Sequence, residues 1–197
     1  MGRPREFDVD VATSHAMQLF WSRGYEGATV PHLVEATGVQ RGSLYAAYGS
    51  KHDLYLAALD RYQAEESAPM ARAVRAVVQE GRPVVEVLRE LLLGLVDQAT
   101  DDPGRRGCLM VNAITERAGC DRDVARRGER AMAGMTEAFT DMLRAAQDRG
   151  ELAVDRDATA LARFLVLTVQ GLRVTGMVDP NRAQLTEAVE VAIAALR

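Results

Sequence analysis

The stretch Thr29–Leu54, TVPHLVEATGVQRGSLYAAYGSKHDL, holds two short helical patterns around a glycine and then the start of a third helix. Thr29 is an N-cap residue type, and Pro31 is tolerated beside it because first-turn amides have no intrahelical partner. Leu33, Val34 and Ala36 give the first helix its apolar face. Thr37-Gly38 ends that helix, since glycine takes the left-handed conformation that closes a helix, and Val39 at once restores apolar contact. The second helix, about Gln40 to Ala46, is too short to hold its shape alone. It must lean on something behind it, which leaves its outer face free.

That outer face carries Gln40, Arg41, Gly42 and Ser43, with Tyr45, Tyr48 and Lys51 following. Gln and Arg offer paired donors and acceptors that match base edges in a major groove; Ser, Tyr and Lys suit phosphate oxygens. Gly42 permits close backbone approach. No acidic residue occurs from Ala36 to His52, although Glu35 and Asp53 flank the window. A polyanion is tolerated there more plainly than anywhere else in the chain.

The spaced set T-x-x-x-L-V-x-x-T-G-V-x-R-G-S-L-Y-x-x-Y-G-S-K-x-x-L resembles the N-terminal signature of TetR/AcrR-family transcriptional regulators. The resemblance implies that the helix beginning near Gln40 enters the DNA major groove. It further implies that Tyr45, Tyr48 and Lys51 hold phosphates and that Thr29 anchors the preceding helix to the DNA backbone. Thr37 stands where the family usually has Ala, and Tyr48 where it usually has Phe, which makes the Tyr48 hydroxyl an extra phosphate candidate.

With 24 Lys+Arg against 28 Asp+Glu the net charge is −4, so a nucleic-acid surface must be a local concentration of positive charge. Lys51 is the only lysine. Two cysteines among 197 residues make no disulfide framework and suit a reducing cytosol. The three histidines, His15, His32 and His52, all lie far from both cysteines in sequence, so no metal cluster and no cofactor is expected. MGRPREFDVD has no apolar core of a secretory signal, and apolar stretches such as Phe164–Val169, broken only by Thr168, are far short of the ~20 residues that span a bilayer. The expected location is the cytoplasm, with no membrane partner.

The basic start Gly2-Arg3-Pro4-Arg5 could be a disordered end, or an arm whose Arg3 and Arg5 reach a minor groove. A helical period from about Val9 to Arg23 ends at Gly24, and Ser50 caps a longer helix that runs to about Ser67, where Pro69 breaks or kinks it. Helical patterns then cover about 71–79, 83–100, 107–118, 121–149, 155–177 and 180–196, separated by Gly and Pro, with no strand alternation. The fold is expected to be all-α. A three-helix helix-turn-helix domain occupies 1–50, with its linking helix to about 67, and a helical ligand-binding and dimerisation domain occupies 68–197.

A helix apolar nearly all round needs cover on several sides. Leu161–Leu172 fits that description, and Leu185, Val189, Ala192, Ile193 and Leu196 stripe the last helix. These resemble the family's four-helix dimer interface, which marks Phe164, Leu165, Leu172, Leu185, Val189 and Ile193; a plain intramolecular core is the alternative. A two-fold homodimer would place two recognition helices about 34–36 Å apart, to read a palindromic operator in double-stranded DNA.

The family's C-terminal helices enclose a small-molecule site. Gly107–Asn112 resembles a G-C-L-x-x-N motif from one branch of it, which draws Cys108 and Asn112 into the candidate pocket; some members of that branch are associated with electrophiles or oxidants. Met132, Met135 and Phe139 (with Met142) are adaptable apolar lining, and equally ordinary core. Arg105 and Arg106 precede Cys108, and a helix start there would stabilise a thiolate. The sequence therefore reads as a ligand-responsive, DNA-binding repressor, with electrophile sensing through Cys108 as an alternative. An enzyme would need a nucleophile with a base or a metal; no histidine follows His52 and no carboxylate pair is marked out by spacing.

Overall fold

A computed structural model describes residues 7–196, with 66–80 described by backbone alone; Arg3 and Arg5 lie outside the described residues. The described residues form nine helices and no strand. They are α1 (Val9–Gly27), α2 (Val30–Thr37), α3 (Arg41–Tyr48), α4 (Lys51–Glu80), α5 (Val84–Asp101), α6 (Leu109–Arg117), α7 (Arg122–Asp148), α8 (Ala158–Val178) and α9 (Arg182–Ala194).

Helix starts follow side-chain chemistry. Asp8, Thr29, Asp157 and Asn181 accept hydrogen bonds from first-turn amides of α1, α2, α8 and α9. Ser50 Oγ accepts from the Asp53 amide at 3.0 Å and donates to the Asp53 carboxylate at 2.5 Å, fixing the start of α4. Of the two outcomes expected at Pro69, a break does not occur, since α4 continues to Glu80. One proline removes a single ladder hydrogen bond, and a chain rich in helix formers on both sides can carry a helix through it.

The chain divides into two compact units. The first joins the described part of Met1–Glu65 to Leu109–Gly128; the second joins Glu66–Cys108 to Glu129–Arg197. The sequence places 109–128 wholly in the C-terminal domain. Contacts group it with the first unit, where α6 packs on α1.

The first unit is built around Phe20, Leu33, Leu44, Leu54, Tyr55 and Leu59, all nearly or fully buried. Phe20, Tyr25 and Tyr55 form an aromatic cluster with centroids 4.8–6.3 Å apart.

In the second unit α5, α8 and α9 pack together with the buried side of α7. Leu165, Leu172, Leu185, Val189 and Ile193, expected at a subunit interface, belong to this intramolecular core and are at most 4% exposed. Of the six residues expected there only Phe164 reaches solvent, because the helical period turns the others inward. The uncovered apolar side chains are instead Phe164, Leu167, Val174 and Val178 along α8 and Val191 on α9. Leu167 and Val178 are 72% and 77% exposed. By length and mean hydropathy α8 could span a bilayer, which the uninterrupted apolar runs did not disclose. Its opposite face is built into the core, as in the core helix of a soluble domain.

Candidate nucleic-acid interface

The α2–α3 corner is set by backbone chemistry. Gly38 is left-handed at φ 68°, and its N–H donates to Val34 C=O, which closes α2. Thr37 Oγ1 donates to Leu33 C=O at 2.7 Å and accepts from the Val39 amide at 3.2 Å, so the threonine itself braces the turn. Val39 and Leu44 then seat α3 on the unit's core.

Gln40 occupies the N-cap position of α3 but makes no capping hydrogen bond with its side chain, so its exposed carboxamide is unspent. Arg41 is exposed beside it, with its guanidinium carbon 5.4 Å from the Tyr45 ring centre. A Cβ on Gly42 would meet nothing within 4 Å, so packing inside the chain does not demand glycine there. Ser43 and Tyr45 are half-buried on the same short helix, and Thr29 spends its hydroxyl on capping α2.

The Tyr48 hydroxyl, expected to be free for a phosphate, is engaged within the chain. It lies 2.9 Å from Val9 C=O and 2.8 Å from Thr13 Oγ1, which is itself 2.8 Å from the same carbonyl. Two hydroxyl protons thus serve three oxygens and tie the end of α3 to the start of α1. A hydroxyl in place of the family's usual Phe found an internal acceptor, where its desolvation is compensated.

Lys51 Nζ sits 4.3 Å from the centre of the Tyr25 ring, and the Arg117 guanidinium carbon lies 4.4 Å from the same centre. Arg117 is balanced by Glu26 at 2.7 Å and Asp121 at 3.5 Å. Lys51 has no carboxylate partner among the described residues, which leaves its charge available to an anion from outside. Burial raises the Tyr25 phenol above its ordinary value, more than the Arg117 charge lowers it, so the ring stays neutral.

Other residues of this unit were not found from the sequence. Gly24 interrupts α1 at φ 70°, and the amides of Tyr25 and Glu26, which begin its last turn, donate to the Glu116 carboxylate at 2.9 and 3.0 Å. A carboxylate from α6 thereby caps a helix fragment some 90 residues earlier. Exposed Arg23 places Nη1 3.0 Å from His32 Nε2 beside the start of α2. No local pattern signals these pairings.

His52 Nε2 lies 2.8 Å from Asp121 Oδ2, and Asp123 brings a third ligand-type atom within 4.8 Å. Each is already engaged: Asp121 Oδ1 accepts from the Asp123 and Val124 amides, Arg117 faces Oδ2, and Arg126 holds Asp123. Two arginines on two carboxylates make a helix cap with ion pairs and leave little charge for a cation. Burial alone would raise the Asp121 carboxyl; the Val124 amide and His52 more than offset it and hold it below the usual range.

In the second unit Cys108 immediately precedes α6 and is 2% exposed. Arg173 Nη1 donates to Cys108 Sγ at 3.1 Å. Such burial withholds the thiol from reagents in solvent and gives electrophile sensing no support. Cys120 is exposed and donates to Arg117 C=O at 3.4 Å. Met132 and Met135 are half-buried against the core and Phe139 lies within it, while Asn112 falls in the first unit.

Residues 13–58 match the family model for bacterial regulatory proteins of the tetR family, and 84–194 match the tetracyclin repressor-like C-terminal domain. The chain is 32% identical over the whole of both sequences to the uncharacterized HTH-type transcriptional regulator YezE of Bacillus subtilis (strain 168). It is also 32% identical to the HTH-type transcriptional repressor ComR of Escherichia coli (strain K12), covering 100% of this chain and 90% of ComR. Among solved structures, a cysteine mutant of the TetR family transcriptional regulator CifR, complexed with 26-bp double-strand operator DNA, superposes with a TM-score of 0.79. The two are 36% identical, and all of each chain is covered. With a matching model over more than half its length and full-length relatives of this identity, the chain belongs to the tetR family of bacterial regulatory proteins.

Proposed function

We propose that this chain is a cytoplasmic transcriptional repressor that binds a palindromic operator as a homodimer and leaves it when a small molecule binds the second unit. The observation that carries the reading is the α3 edge: Gln40 caps nothing, Arg41 is exposed, Gly42 leaves open space, and Lys51 lacks a carboxylate partner among the described residues. Gln40 and Arg41 read base edges; Ser43, Tyr45 and Lys51 take phosphates, Thr29 anchors α2, and Arg3 and Arg5 are candidates for an adjacent minor groove. CifR, similar over its full length, is held on operator DNA in its complex. ComR, similar over 90% of its length, is a repressor. Nothing in the site offers the nucleophile and base of an enzyme.

The exposed set Phe164, Leu167, Val174, Val178 and Val191 is the self-association surface in this reading. Release is a population shift: moving a two-state equilibrium from 1:99 to 99:1 takes roughly 10⁴-fold, or about 5.5 kcal/mol, of differential ligand affinity. The test is binding to the DNA upstream of the protein's own coding region at two salt concentrations, against a scrambled duplex. Salt-steep binding to a palindrome is the expected result, and binding equal to the scrambled duplex at every upstream segment would overturn it.

A further inference from the structure

The second unit contains two strong hydrogen-bonding groups that, among the described residues, are paired only with sulfur. Gln170 Nε2 donates to Met132 Sδ at 3.5 Å, and Gln170 Oε1 is buried with no hydrogen-bond partner among the described residues. The orientation of the carboxamide follows from chemistry, since a thioether only accepts and must face the N–H end. The acceptor end is therefore the one left without a donor. A buried carbonyl oxygen in that state costs on the order of 1–3 kcal/mol, which a fold tolerates where something else arrives to satisfy it.

One turn along α8, Arg173 spends Nη1 on the Cys108 thiol, a weak acceptor, and has no carboxylate within ion-pair distance among the described residues. One turn further, Met177 lies against Gly107, so closely that a Cβ there would collide with Met177 Sδ. Positions 170, 173 and 177 share one face of a helix, so Gln170, Arg173 and Met177 form a single stripe directed at 107–108 and at Met132 of α7. The stripe presents a cation without an anion, an acceptor without a donor, and polarizable sulfur around both. The sulfurs are soft walls that can repack around an apolar body.

We infer that Gln170 and Arg173 form the polar end of the effector site and that the effector is a small hydroxy carboxylic acid on an apolar body. Its carboxylate takes Arg173 in place of the thiol, and its hydroxyl donates to Gln170 Oε1. An Arg fork matches a carboxylate in shape and charge, and exchanging sulfur for charged oxygen strengthens the contact. No covalent step is involved. The inference rests on the small-molecule half of the proposed function, and on a different unit from the DNA-reading half.

The experiment uses the full chain and defined probes: lactate, 3-hydroxybutyrate, mandelate and 3-phenyllactate, their methyl esters, and the hydroxyl-free propionate, butyrate, phenylacetate and 3-phenylpropionate. Binding is read by calorimetry and by the shift in Tm. At least one hydroxy acid is expected to bind on the order of tenfold or more tightly than both its ester and its hydroxyl-free counterpart. Arg173→Met should erase the acid-over-ester preference while Arg173→Lys keeps part of it. Gln170→Leu should erase only the preference for the hydroxyl. The unliganded Tm of each variant reports its folding, and removal of an unpaired cation or acceptor should not lower it. Esters binding as well as acids, preferences that survive both substitutions, or no binding by any hydroxy acid would overturn the inference. DNA binding is measured on the same preparations: a protein that binds its operator but no hydroxy acid sinks this inference alone, and one that binds the acid but no DNA sinks the DNA-reading proposal alone.

Discussion

Lys51 and Tyr25 are joined by a cation–π contact in which the ammonium lies 4.3 Å from the ring centre, on a ring that also carries Arg117 at 4.4 Å. Tyr25 thus holds the chain's only lysine next to the end of α3, and shares its ring with a residue of α6. A flexible four-carbon side chain pre-positioned this way loses less freedom when it meets a phosphate.

Tyr25→Leu should therefore weaken DNA binding on all sequences and flatten its salt dependence by about one counterion, as Lys51→Ala does. Tyr25→Phe, which keeps the ring, should leave the slope unchanged. The check is anisotropy titration across a salt series. An unchanged slope for Tyr25→Leu would mean that the ring only packs, since partial unfolding lowers apparent affinity equally at every salt concentration.

Gln40→Ala and Arg41→Ala should relax base preference, each costing about 1–3 kcal/mol of discrimination while leaving non-specific affinity almost intact. Competition between operator and single-base variants measures this. Equal losses on operator and scrambled DNA would move both residues from base readout to backbone contact.

Tyr48→Phe should cost about 1 kcal/mol of stability, because it deletes a hydroxyl bonded to Val9 C=O and Thr13 Oγ1. The salt slope of DNA binding should not change. Urea denaturation gives the first quantity and titration the second; a slope reduced by one with stability intact would return the hydroxyl to the phosphate backbone.

Leu167→Glu should yield a folded monomer, since Leu167 is 72% exposed among the uncovered apolar side chains of α8. Leu165→Ala, two residues away in the core, should instead lower stability by roughly 2–5 kcal/mol with self-association retained in the folded fraction. Sedimentation and circular dichroism distinguish the two outcomes. A dimeric Leu167→Glu protein would place self-association elsewhere.

Asp121 gives a pH dependence of definite sign. Its folded carboxyl is held below the ordinary value of 3.8, so its contribution to stability is complete above that value and is lost as pH falls through the lowered folded value. Between about pH 6 and about pH 3, wild type should lose more stability than Asp121→Asn, which has nothing there to protonate. Equal losses by denaturant titration would remove Asp121 from acid unfolding.

What was legible in the sequence was local. Thr29, Gly38, Ser50 and the later glycines announce helix ends through their own backbone preferences, and α2, α3 and α5 to α9 begin and end within three residues of where those signals fall. Pro69 misled because its local penalty is modest against a long helix. The two sides of α8 were indistinct for a related reason: apolar residues run nearly all round it, and only the packed structure separates buried Leu165 from exposed Leu167. The contacts that organise the first unit, Tyr25 with Lys51, Glu116 with the Tyr25 amide and His52 with Asp121, span 26 to 91 residues. Charged side chains on exposed helices carry no mark of which distant partner they will meet. Tyr48 shows the converse, since a hydroxyl that looked available had an internal acceptor 39 residues earlier.

The Glu116 carboxylate that receives the Tyr25 and Glu26 amides sets a rule for anyone who would recombine this protein. A reading head cut out after α4 would leave behind the side chain that finishes its first helix. A head grafted onto another member's body would inherit whatever α6 that body supplies. Chimeras exchanging operator preference should therefore carry two inserts, the N-terminal segment and residues 109–128, and natural shuffling of heads among such regulators would be held to pairs whose α6 offers an acid at this position.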